Sequence, residues 1–173
     1  MKKKSLIVLI SLLMLIVFDQ IIKYLIVKNF SIGEEKILID NFLKFIYIRN
    51  TGAAFGILSG NIVFLIGISL LLIFYIVKEM KKNIDNNLSL LSFSLILGGA
   101  VGNLIDRIFR GYVVDFISFT LFKREMSIFN IADMYITIGV ILLIYIVLKE
   151  GKYERVSSRK RKWIKKIRCI FSI

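Results

Sequence analysis

The chain has 173 residues, 57% of them hydrophobic, and sets 25 Lys and Arg against 12 Asp and Glu for a net charge of +13. A mean hydropathy of +0.78, with an apolar share above the roughly 45–50% of soluble domains, points to a lipid environment. There is no His, no Pro and a single Cys, Cys169. Histidine triads, histidine metal sites, internal disulfides and thiolate cages are therefore excluded, and any catalysis falls to carboxylates, amides, hydroxyls and Lys or Arg.

A bilayer core of about 30 Å needs roughly 20 apolar residues in helical form. Four runs approach that length, at about 6–27, 61–77, 88–108 and 130–148, and they predict an all-α polytopic membrane protein with four transmembrane helices. Lys2, Lys3 and Lys4 ahead of the first run look like the start of a secretory signal. The apolar stretch, however, continues past Asp19 with no A-x-A-like cleavage site, and three more spans follow, so the first helix reads as retained. Between the first two spans, about 28–60, Lys36–Asp40 and Phe42–Arg49 are rich in β-formers and predict a small extracytoplasmic β element on the membrane surface. The connection from about 109 to 129 carries Phe116, Phe119, Phe122 and Phe129, an amphipathic composition suited to the headgroup region. The chain reads as one membrane-embedded domain, 1–173, ending in a basic cytoplasmic tail at 149–173.

Loop charges set the orientation. With both termini cytoplasmic, sixteen basic residues fall inside and seven outside, as the positive-inside rule requires. The tail's Arg159-Lys160-Arg161-Lys162 and Lys165-Lys166 follow a span directly, so they read as topology signal and attraction to anionic lipid, with no nucleic-acid partner.

Ionisable groups inside spans are costly and are functional candidates. Asp19 and Lys23 lie four apart on one helix face; Asn103, Asp106 and Arg107 lie at i, i+3 and i+4 near the end of the third span; Asn130 and Asp133 open the fourth. Asp115 sits in the apolar run Val113-Val114-Asp115-Phe116. The chosen orientation puts all of them at one depth, towards the outer leaflet. Asp19 with Lys23, and Asp106 with Arg107, are explained as structural ion pairs, whereas Asp115 and Asp133 have no opposite charge close in sequence and point to chemistry. Gly98-Gly99-Ala100-x-Gly102 reads as a close helix-packing surface.

Two carboxylates brought together in a low-dielectric site ionise unequally, so one can take a proton from water while the other polarises a carbonyl. Hydrolysis follows. The rivals are a serine-lysine pair such as Ser118 with Lys123, hard-metal binding by the aspartates, a proton-coupled carrier, and a purely structural membrane protein. A carrier predicts acids spread through the membrane and an internal repeat; the sequence shows neither.

In order and spacing, Asp19-x-x-x-Lys23, Asn50-Thr51-Gly52-Ala53-Ala54-Phe55, Gly98 to Arg107, Val113-Val114-Asp115-Phe116 and Phe129-Asn130-Ile131-Ala132-Asp133 resemble the lipoprotein signal peptidase, or signal peptidase II, family. The resemblance covers about Asp19 to Leu148. It implies an aspartyl endopeptidase of the bacterial cytoplasmic membrane; no cofactor is expected, membrane lipids are its surroundings, and four spans able to enclose a site without a partner suit a monomer. Such an enzyme removes the signal peptide from diacylglyceryl-modified prolipoproteins just before the lipidated cysteine. By the same resemblance Asp115 and Asp133 are the catalytic pair. Asn50, Asn103, Arg107 and Asn130 bind or shape the site, Asp19, Lys23, Asp106 and Gly99 support it, and the β element cradles the substrate.

Overall fold

The computed structural model describes residues 2–52, 58–83, 86–122 and 124–152, with side chains between 5 and 149. In chain order the elements are α1 (Lys2–Asn29), β1 (Glu35–Ile39), β2 (Leu43–Asn50), α2 (Ile62–Lys82), α3 (Asn87–Arg110), β3 (Val113–Leu121), β4 (Arg124–Glu125) and α4 (Ile131–Lys152). The four helices are those expected, each long and apolar enough to cross a bilayer. Each outruns its apolar run by a few residues, α2 at its C-terminal end, because long polar side chains at a span end can reach the headgroups while the backbone stays helical. The extension brings Glu79 into α2, where it is buried and paired with Lys82 at 2.7 Å.

The bundle is organised around α3. In its most apolar stretch 72% of residues are buried, against 6% in that of α1, so α3 is the central post and α1 lies largely against lipid. Small residues let the neighbours close in. Gly98 faces Leu15 of α1, Gly99 meets the Ala132 carbonyl of α4, and Gly102 leaves room for the Asp19 carboxylate. On the return face Gly139 of α4 packs against Ile96, and the Ser92 hydroxyl donates to the Gly139 carbonyl at 2.7 Å. Phe93, Ile96 and Leu97 of α3 complete this core with Ile76, Leu143 and Val147.

The β element is larger than the sequence reading expected. It is a four-stranded antiparallel sheet in the order β1-β2-β3-β4, and the connection between α3 and α4 supplies its longest strand. From Val113 to Ser118, β3 is buried on both faces, so the polar-apolar alternation that marks a half-exposed strand is missing there. Gly111, at φ 75°, closes α3 in the left-handed conformation and turns the chain into β3. Val114, Phe116 and Ile117 then pack with Tyr47 of β2 and Ile26 of α1, which seats the sheet on the bundle. Because β1 and β2 lie between α1 and α2, and β3 and β4 between α3 and α4, the sheet caps the end of the bundle opposite the start of α1.

Candidate active site

Where the sheet meets α3 and α4 lies a cavity of about 570 Å³. Its wall includes Asn50 from the end of β2, Asn103 and Arg107 from α3, Asp115 from β3 and Asp133 from the first turn of α4. Strand pairing sets the first of these contacts: Asn50 lies opposite Val113 and Ile48 opposite Asp115, so the Asn50 side chain reaches the Asp115 carboxylate.

Both aspartates are held by amides. Asp115 accepts from Asn50 Nδ2 at 2.8 Å and from Asn130 Nδ2 at 2.7 Å. Asp133 accepts from Asn103 Nδ2 at 2.7 Å and from the Asn130 backbone N–H at 3.3 Å. Asn130 therefore touches both carboxylates. It precedes α4, and its Oδ1 accepts the Asp133 N–H at 3.0 Å while Asp133 bonds back to its N–H, a reciprocal capping box with Asn and Asp in the usual places of Ser and Glu. The helix start is thus built from the site's own residues.

Each amide has its orientation fixed by a donor that cannot accept. The Asn130 oxygen is claimed by the Asp133 N–H, the Asn50 oxygen by the Gly52 N–H at 2.9 Å, and the Asn103 oxygen by the Lys23 ammonium at 2.9 Å. A flipped amide would set N–H against N–H, so all three Nδ2 groups are turned to the carboxylates.

Asp115 is 3% exposed. Burial, then the charge of Asp133, pushes its carboxyl up to about 6, against the opposing pull of the Asn50 and Asn130 amides. Asp133 is half-buried and sits in the first turn of α4. Among the described residues neither aspartate forms a salt bridge.

Behind the cavity lies a second acidic group, compensated ion by ion. Lys23, fully buried, bonds Asp19 and Asp106 at 3.0 Å each, and with Asn103 this occupies its three donors. Arg110 adds a contact to Asp106 at 3.2 Å. Asp19 also accepts the Ala132 N–H and Asp106 the Val114 N–H, both at 3.1 Å, so the cluster clamps α1 and α3 to the starts of α4 and β3.

The expected pairing of Asp19 with Lys23 is present, whereas that of Asp106 with Arg107 is not. Adjacent helical residues point about 100° apart. Asp106 turns inward to Lys23 and Arg110, while Arg107 turns to the cavity, where its Nη2 donates to the Gly52 carbonyl at 3.1 Å. Its Nε is buried without a hydrogen-bond partner among the described residues. Gln20, which donates to Asp19, Asp106 and the Gly102 carbonyl, and Arg110 were missed by sequence reasoning. The i, i+4 spacing of Asp106 and Arg110 was the available signal. Gly99 faces the Ala132 carbonyl and Ile136 and acts through the close approach of α3 and α4.

Ser118 is buried outside the cavity, and Lys123 lies outside the described residues, as do Ala53, Ala54, Phe55 and the tail from 153. Among the described residues no group of three or more Cys, Asp or Glu is arranged to hold a metal ion.

Residues 11–149 match the family model for signal peptidase (SPase) II. A lipoprotein signal peptidase of Staphylococcus aureus (strain JH9) is 42% identical over 151 residues, covering 87% of this chain and 90% of that protein. Two solved structures described as bacterial membrane enzymes also superpose. One has a TM-score of 0.81 at 38% identity, covering 87% of this chain and 93% of the other; the second has 0.71 at 37%, covering 82% and 92%.

Proposed function

The chain belongs to the signal peptidase II family, and from that premise we propose that it is an aspartyl endopeptidase that cuts diacylglyceryl-modified prolipoproteins immediately before the lipidated cysteine. As a family member with four membrane-spanning helices it is a bacterial membrane protease acting in lipoprotein processing. The finer reading rests on one observation: two aspartates from different elements share Asn130 at the wall of a cavity, and neither has a cationic partner among the described residues.

In this reading Asp133 is the ionised partner and Asp115 the protonated one. Asp133 takes a proton from a water as the water oxygen attacks the scissile carbonyl carbon. Asp115 gives its proton to the carbonyl oxygen, and a neutral gem-diol forms. In the second half Asp133 protonates the nitrogen of the departing cysteine, Asp115 takes a proton from a gem-diol hydroxyl, and the C–N bond breaks. Both groups then hold their starting protons. Asn50, Asn103 and Asn130 keep the carboxylates in place through this exchange, because their amide directions are set by groups outside the reaction. Arg107, whose Nη2 holds the Gly52 carbonyl, stands in the cavity wall and shapes the space for the substrate peptide. The cluster of Lys23 and Arg110 with Asp19 and Asp106 lies behind Asn103, which Lys23 holds, and supports the site without touching substrate.

The charge distribution supports a chain with both termini cytoplasmic and the cavity towards the outer leaflet. A lipidated substrate keeps its acyl chains in the bilayer while its scissile bond meets water at that interface. We take the whole chain as one such unit, working as a monomer.

The test uses purified protein in detergent with a diacylglyceryl prolipoprotein. Release of the signal peptide with a new lipidated N-terminal cysteine is expected, together with loss of turnover in Asp115→Asn and in Asp133→Asn. Wild-type turnover in either variant sinks the assignment.

A further inference from the structure

A second cavity of about 570 Å³ lies between α1 and α4, roofed by Phe116 of β3. Apart from the Tyr135 hydroxyl its lining is hydrocarbon and thioether. The two helices scarcely touch, because both pack on α3, and the gap between them forms a groove. Phe18 and Ile22 form one bank; Met134 and Ile138, one turn apart on α4, form the other. Met134 and Ile138 also line the reaction cavity, and both are exposed, so the two cavities meet at this ridge.

We propose that the α1–α4 groove holds one acyl chain of the substrate's diacylglyceryl group while the peptide occupies the reaction cavity. The inference rests on the reading of the protein as a peptidase for lipidated prolipoproteins. Three features select this occupant. The groove offers almost no hydrogen-bonding group, which suits a hydrocarbon chain and not a peptide backbone. From Phe18 to Ile26 it follows eight residues of α1, about 12 Å of rise, close to the ~15 Å depth of one leaflet of a ~30 Å core. Its roof residue Phe116 follows Asp115 directly, so a chain leaving a cysteine at the reaction cavity reaches the groove by crossing the Met134–Ile138 ridge.

The test compares the same prolipoprotein peptide carrying dipalmitoyl or dibutyryl glycerol. Ile22→Trp and, at the more exposed lip, Leu25→Trp fill the groove, while Leu13→Trp adds the same bulk on α1 away from it. Both groove variants are expected to raise KM for the dipalmitoyl substrate roughly tenfold more than for the dibutyryl one, the equivalent of burying about two methylene groups. Leu13→Trp is expected to leave that ratio unchanged. Equal losses on both substrates, no loss on the dipalmitoyl substrate, or the same chain-length effect in Leu13→Trp each overturn the groove assignment. Failure of the functional reading looks different: the unsubstituted enzyme then cleaves neither substrate, and the groove assignment falls with it.

Discussion

Two acidic pairs stand side by side in this protein, Asp19 with Asp106 and Asp115 with Asp133, and they differ in what holds them. The first pair is neutralised by Lys23 and Arg110; the second is met by asparagine amides. An ion pair fixes a carboxylate in one protonation state, whereas an amide accommodates a carboxylate or a carboxylic acid with little change in geometry. The counter-charge thus separates the group that holds the structure from the group free to exchange protons. Matched substitutions sharpen the contrast most. Asp133→Asn is expected to lower turnover by about a thousandfold or more, while stability falls by only about 1 kcal/mol for one displaced amide contact. Asp106→Asn is expected to reverse the order, with measurable turnover but a loss of about 3 kcal/mol from breaking a buried pair. Turnover assays and unfolding in the same detergent read both quantities.

The compensated group can be broken from its centre. Lys23→Met leaves Asp19 and Asp106 buried without their ammonium, and the expected loss is about 3–5 kcal/mol. Adding Asp19→Asn and Asp106→Asn to Lys23→Met removes the uncompensated charge and is expected to recover at least half of that loss. If the triple variant is no more stable than Lys23→Met, packing and not charge dominates this cluster. Recovered stability need not restore turnover, since the Asn103 amide loses the donor that sets its direction.

What was legible in the sequence follows the same division. The four spans were plain because lipid demands unbroken apolar length, and Asp19 with Lys23 was plain because i, i+4 spacing makes neighbours on a helix. Asp115 and Asp133 stood out by lacking such a neighbour. Their shared contact through Asn130 was hidden, since it depends on how β3 enters the sheet, and β3 itself is buried on both faces and carries no alternation. The expected pairing of Arg107 with Asp106 failed because the two charges are adjacent in sequence, yet the helix turns the side chains apart, Arg107 to the cavity wall. Lys23 bridging to Asp106 joins residues 83 positions apart, and no local pattern encodes it.

Titration gives a second way to read the amide-held pair. Asp115, pushed up to about 6 by burial and then by Asp133, lies above the ~3.9 of a free aspartate. Between those values the unfolded chain has released a proton that the folded protein keeps. The stability contributed by this group is therefore full below about pH 4, falls as pH rises to about 6, and is flat above; two units at ~1.4 kcal/mol each make about 3 kcal/mol. Asp115→Asn is expected to flatten this slope. If Asp115 supplies the proton to the scissile carbonyl, kcat/KM of the wild-type enzyme also declines as pH rises through about 6. A profile with no limb in that region removes Asp115 from the role of proton donor.

The smallest expected effect separates two asparagines that both open helices. Asn86 precedes α3, and its side-chain oxygen accepts the Leu88 and Ser89 N–H groups at 3.1 and 3.2 Å, an ordinary cap far from the cavity. Asn130 precedes α4 and caps it too, but its amide nitrogen also bonds Asp115 and Asn103. Replacing either by Ala removes a cap worth about 1 kcal/mol. Asn86→Ala is expected to show that loss alone, with kcat and KM at wild-type values. Asn130→Ala is expected to show it together with a fall in kcat of about tenfold to a hundredfold, since both aspartates lose a shared constraint. Equal kinetics in the two variants would reduce Asn130 to a helix cap and leave the Asp115–Asp133 geometry dependent on Asn50 and Asn103.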